Sequence, residues 1–158
     1  MLEPGIRAFI LGAALLVAAA AVGLILLSGS GFTALSLRLI SAYGIVIIPG
    51  ALGLMVLGIV CKIVPFLVWM RAYGPRVGRQ PVPAAPTLAS LPLERIWLSG
   101  HLIAIALIVI AEVSDSGRFA ALGTGTLAAA AGAYLVNISR ILMHLRPDGR
   151  PVCAPENP

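Results

Sequence analysis

Lys62 is an ammonium near the inner end of an otherwise apolar run, with Cys61 before it and Pro65 three residues after it. A lone cation in hydrocarbon costs roughly 2.5–3.5 kcal/mol on insertion scales, so Lys62 must snorkel, pair or work. Pro65 frees a helix carbonyl near Cys61 that Lys62 or a neighbouring helix can satisfy. His101, Asn137, Arg140 and His144 are the other chemistry-bearing residues placed in or at the edge of apolar segments. Asn137 is suited to bonding another helix, and Arg140 and His144 to meeting lipid headgroups. Glu112 reads as an interface residue near Asp115. Two imidazoles on adjacent spans raise haem ligation through His101 and His144, which requires both rings to face one cavity at matched depth. The expected difference in depth is about one helical turn, which disfavours it, and no cofactor is expected. Metal triads, paired intramembrane carboxylates, P-loops and Ser-His-Asp patterns are missing from the sequence, so the chemistry leans away from an enzyme. Cys61 and Cys153 have neither a metal spacing nor a disulfide framework.

The elements that carry these residues are set by composition. The 158 residues are 59% hydrophobic and 11% charged, with a mean hydropathy of +1.02, where soluble domains carry about 25% charged residues. The reading is an all-α integral membrane bundle of four transmembrane helices, spanning about 6–27, 45–71, 96–113 and 119–145. The first run is too long for a cleaved leader, whose apolar region is roughly 7–15 residues. Ser28-Gly29-Ser30-Gly31 and Thr33 make the turn that follows it. The run from Leu39 to Met70 would make a helix of about 48 Å, against a hydrocarbon core of about 30 Å. Pro49-Gly50 is therefore the expected kink or helix start, with Arg38 to Ile48 lying obliquely or near the outer interface. Residues 74–92 form a Pro-rich loop expected to be extended, and residues 146–158 a flexible tail.

Orientation follows from arginines. Arg71, Arg76, Arg79 and Arg95 flank the long loop, and Arg140, Arg146 and Arg150 flank the last span, against Arg38 and Arg118 opposite. Both termini and the loop are thus expected to be cytoplasmic in a bacterial inner membrane, with Trp69 and Trp97 as interface anchors. The net charge of +5 is absorbed by this asymmetry, so nucleic acid is not an expected partner. Ala14, Ala18, Ala19 and Gly23, then Gly50, Gly53 and Gly58, then Gly125, Ala129 and Ala133 supply small residues for close helix packing or for docking on a partner. Besides the lipid bilayer, the expected partner is another membrane protein or a second copy.

The stretch from Gly58 to Trp69, followed by Tyr73-Gly74 and Val82-Pro83, resembles a bacterial family of larger polytopic proteins. That family is distantly similar to the catalytic subunit of haem-copper oxidases. The likeness is centred on Gly50–Pro83, with Cys61 where an aromatic is expected. It implies a short or partial version of the family, without the histidines that hold two haems and copper. The expected role is a small non-catalytic accessory or interaction component of a larger, respiratory-type membrane assembly. The alternative is a small permease or ion-handling protein that uses a polar cluster of Lys62, His101 and Asn137.

Overall fold

Glycine decides how closely the first helix can approach the second segment. The computed structural model describes residues 3–28 and 34–145. Helix α1 (Pro4–Ser28) runs antiparallel to α2 (Ala34–Ile45), a π-helical turn (Val46–Leu52) and α3 (Gly53–Tyr73). A Cβ added at Gly58 would come 2.7 Å from the Gly5 carbonyl, and one at Gly12 would come 2.7 Å from the Ala51 carbonyl. At Gly23 it would meet the Tyr43 hydroxyl at 2.5 Å. The contact face of α1 is therefore Gly5, Ala8, Gly12, Ala19 and Gly23, while Ala14 and Ala18 of the expected stripe point outward.

The Pro49-Gly50 step does not break the helix. Residues 34–73 stay helical throughout, and Pro49 is absorbed inside the π turn. Proline lacks the N–H that an α-helix needs at that position and crowds the carbonyl four residues back. Widening the turn relieves both problems, as π-bulges do. The apolar segment accordingly extends over Leu35–Arg76, and α2 packs along α1 and α4.

Helices α4 (Leu91–Ser114) and α5 (Gly117–Met143) form the most extensive contact in the protein. They are joined by a tight turn in which Asp115 takes the left-handed conformation at φ 54°. Asp tolerates this geometry because its short polar side chain bonds locally. Asp115 also accepts an ion pair from Arg38 of α2 at 2.6 Å, which ties that end of the bundle together. Gly100 lies against Ala130, and Gly123 against Ile108, which fixes the antiparallel register.

The loop is more ordered than an extended Pro-rich chain. Pro75 and Pro86 sit in the first turns of short 3-10 helices at Gly74–Arg76 and Ala85–Leu88, positions that suit a residue with fixed φ and no N–H. Leu88 packs against Val68 and Ile141 beneath the bundle. Trp69 Nε1–H donates to the Pro83 carbonyl at 2.6 Å. Helix α4 begins at Leu91, ahead of the apolar run, because Pro92 is in its first turn. Strands are absent among the described residues, and four helices are long and apolar enough to cross a membrane. The first turn at Gly29–Gly31 and Thr33, the arginines at 146 and 150, Cys153 and the tail lie outside the described residues.

Gly58→Val places branched carbon on the Gly5 backbone, and over-packing of this kind costs about 1–3 kcal/mol. The same change at Gly132, where an added Cβ meets nothing, should leave the melting temperature in detergent unchanged. Equal melting of the two variants would show that α1 and α3 do not depend on this close approach.

Candidate functional site

Two polar sites are built into the bundle, and each uses a helix irregularity. The upper one follows from the π turn. The N–H of Gly53 bonds to the carbonyls of Ile48 and Gly50 and passes over Pro49, its partner in a regular α-helix. The freed Pro49 carbonyl accepts from His101 Nε2–H of α4 at 2.9 Å. A carbonyl can only accept, so this contact places a proton on Nε2. His101 is buried, and its ring lies over Gly53. Trp97, one turn earlier, is tilted 56° to it with centroids 6.3 Å apart.

Trp97 corrects an expectation. At 1% exposure it is the largest core side chain and packs with Ala8, Leu54, Cys61 and Ala130. It therefore does not anchor the bundle at a lipid interface. Starting α4 at Leu91 puts Trp97 nearly two turns inside the helix, and small residues on three neighbours make room for it. Its indole N–H has no partner among the described residues. Tyr134 covers one face at 5.2 Å between centroids and directs its hydroxyl to the Leu57 carbonyl at 3.5 Å.

The lower site surrounds Lys62. Its ammonium forms an ion pair with Glu3, which precedes α1. The register of α1 against α3 brings Gly5 to Cys61 and Lys62, so Glu3 arrives beside the lysine. Glu94, in the first turn of α4, lines the same cleft of about 540 Å³ together with Cys61, Pro65 and Phe66. Glu94 is only 7% exposed. Pro65 is buried inside α3, where the helix continues through it, and Lys62 gives its charge to Glu3.

Asn137 of α5 is 2% exposed, and its Oδ1 accepts the Ser90 N–H at 2.9 Å. It caps α4 from a neighbouring helix, because Ser90 makes no side-chain cap of its own. Arg140 is exposed in the last turn of α5. His144 follows, with Nδ1–H shared between the Arg140 and Ile141 carbonyls at 3.2 Å each and Tyr73 tilted beside it at 6.4 Å.

The sequence-expected polar cluster is thus divided. Lys62 and Asn137 lie toward the α4 N-terminus, whereas His101 meets Gly53, nine residues before Lys62 on α3. The expected difference of one turn between His101 and His144 is also too small. With Gly100 opposite Ala130, His144 lies some fourteen residues further along α5, or roughly 20 Å. Glu3 and Glu94 were not recognised as site residues. The signal for Glu94 is Ser90-Leu91-Pro92, a helix start that places the acid in the first turn of α4, ahead of the apolar run. No group of three or more His, Cys, Asp or Glu able to hold a metal ion occurs among the described residues. No protein-family model, curated protein or solved structure matches the chain.

His101→Leu removes the donor and strands the Pro49 carbonyl, a loss of about 1–3 kcal/mol. His101→Gln keeps a donor and should recover part of it. Thermal unfolding in detergent reads both, and a His101→Leu midpoint equal to that of the wild type would contradict this role. For the lower site, Lys62→Met and Glu3→Gln should be non-additive. The double variant is expected to lose less than the summed losses, by about 0.5–3 kcal/mol of coupling. Strict additivity would mean that the pair contributes nothing.

Proposed function

We propose that this chain is a small non-catalytic, multi-pass component of the bacterial inner membrane that docks onto a larger, respiratory-type assembly through helix α5. The observation that carries this reading is the outward face of that helix. Gly123, Ala130 and Asn137 repeat every seven residues and face the bundle, joined by Ile141. Gly125, Ala128, Ala129 and Gly132 lie on the other side, all exposed, and a Cβ added at Gly125 or Gly132 meets nothing within 4 Å. Small residues at this spacing form a shallow groove that lipid chains fill poorly and that another helix fills well. The groove is on the least apolar of the four segments, with mean hydropathy 1.5 against 2.2, 2.5 and 2.8, which suits protein contact better than lipid.

The occupant is a transmembrane helix of a different protein, with a small-residue face of its own. The arginines at 71, 76, 79, 95 and 140 support a cytoplasmic loop and cytoplasmic termini. The resemblance of Gly50–Pro83 to polytopic relatives of haem-copper oxidase subunits supports the kind of assembly.

Replacing Gly125 and Gly132 together by Leu fills the groove without touching the bundle. The double variant should melt as the wild type does, yet migrate on a native gel as the free chain instead of in a larger complex. Unchanged migration would overturn the docking face. A complex containing only copies of this chain would replace the accessory role with a homo-oligomer.

A further inference from the structure

We propose that the loop end of the bundle binds anionic phospholipid headgroups, with Arg71 and Arg140 holding the phosphate. This inference rests on the four apolar helices crossing a membrane and not on the docking role of α5. Arg71 is in the last turn of α3 and Arg140 in the last turn of α5, and both are exposed. The Tyr73 and His144 rings, with centroids 6.4 Å apart, bring these two helix ends together. Arg71 lies two residues before Tyr73 and Arg140 four before His144, so each is within about one turn of that contact. The loop adds Arg76 and Arg79, also exposed. They are not carried away on a free chain. The Trp69 indole holds the Pro83 carbonyl at 2.6 Å, and Leu88 packs with Val68 and Ile141, so the loop is drawn back onto the same helix ends.

What these cations lack is an acid. No ion pair to Arg71, Arg76, Arg79, Arg95 or Arg140 occurs among the described residues. The described acids of this end, Glu3 and Glu94, are both engaged by Lys62, the first in an ion pair and the second through its charge. The opposite end differs, because Asp115 there takes up Arg38 at 2.6 Å. Guanidinium groups placed where α3 and α5 end meet lipid headgroups, and their fork of N–H donors suits phosphate oxygens. A phosphate esterified to choline or ethanolamine brings its own cation. One esterified to glycerol keeps its negative charge uncompensated, so the arginine surplus selects the anionic lipid. Basic clusters beside membrane-spanning helices attract such lipids in this way.

The test uses the full chain in an uncharged maltoside detergent and reads energy transfer from tryptophan to lipids with pyrene on one acyl chain. Phosphatidylglycerol and phosphatidylcholine are compared, each with its headgroup intact. A preference for phosphatidylglycerol of about tenfold or more is expected, since each basic residue at a membrane surface is worth about fivefold. Raising the ionic strength from about 0.01 M to about 1 M shortens the Debye length from roughly 30 Å to roughly 3 Å and should remove most of the preference. Arg71→Gln combined with Arg140→Gln should do the same at low salt, while Arg118→Gln, at the other end of α5, should leave it unchanged. Equal binding of the two lipids by the wild type, or a preference that survives the double variant, would overturn the proposal. So would an equal loss in Arg118→Gln, which would mean that net charge and not this end of the bundle is sensed. If the double variant does not fold, Arg76→Gln combined with Arg79→Gln in the loop decides by the same criterion.

Discussion

A single missing N–H organises the long second segment. Proline at position 49 cannot donate to the helix, and the chain answers by widening one turn instead of breaking. An added residue swings the face that follows by roughly 100°, one residue's share of a 3.6-residue turn. The buried positions of α3 fall at Leu54, Gly58, Cys61, Pro65 and Val68, alternating four and three apart. Continued backward through a regular helix, that spacing would bury Ala51, Ile47, Gly44 and Ile40. Ile40 is instead 48% exposed, and Ala42 is the buried residue of α2. The π turn therefore gives the two halves different inward faces, so that α2 packs on α1 and α4 while α3 also reaches α5. Its by-product is a free carbonyl, and His101 is the residue placed to take it.

The lower half obeys a second constraint, the need to keep charge compensated in an apolar bundle. Lys62 is tolerable because Glu3 and Glu94 converge on it from two other elements. That convergence depends on register. The contact of Gly5 with Gly58 brings the start of α1 to the level of Lys62, while α3 continues to Tyr73. A side chain at either glycine would push α1 outward and draw Glu3 from the lysine. Packing of small residues and pairing of charge are thus one requirement here.

Much of this was legible in the sequence, and the parts that were not share a cause. Hydropathy locates the four apolar segments, because length and composition alone define them, and desolvation requires that Lys62 snorkel, pair or work, of which the structure shows pairing with Glu3. The partner does not follow, since a span counted from residue 96 leaves Glu94 outside it, in the stretch between loop and span, whereas α4 starts five residues earlier at Leu91. The same count puts Trp97 at an interface, whereas a start at Leu91 makes it core. The continuity of residues 34–73 was hidden for a different reason. Pro-Gly signals a break in most settings, and whether a helix breaks or widens is decided by what packs around it. Here Leu15 and Ile105 lie within 3.4 Å of a Cβ built at Gly50, and a broken helix would lose that tertiary contact.

The loop shows how the two sites come to share one framework. Its prolines restrict the chain, and three contacts then fix it: the Trp69 indole on the Pro83 carbonyl, Leu88 under Val68 and Ile141, and Asn137 on the Ser90 N–H. The last contact holds the residue that precedes α4, whose start follows from Pro92 in its first turn. Glu94 follows four residues later, within the first turns, and His101 seven residues after that, two turns further along the same helix. Both residues therefore take their height from the start of α4 and from its packing on α5. A bond between an asparagine and a loop amide, modest in energy, joins the loop to the register that Gly100 on Ala130 and Gly123 on Ile108 fix between α4 and α5. That register places one acid beside Lys62 and one imidazole beside the carbonyl that Pro49 releases.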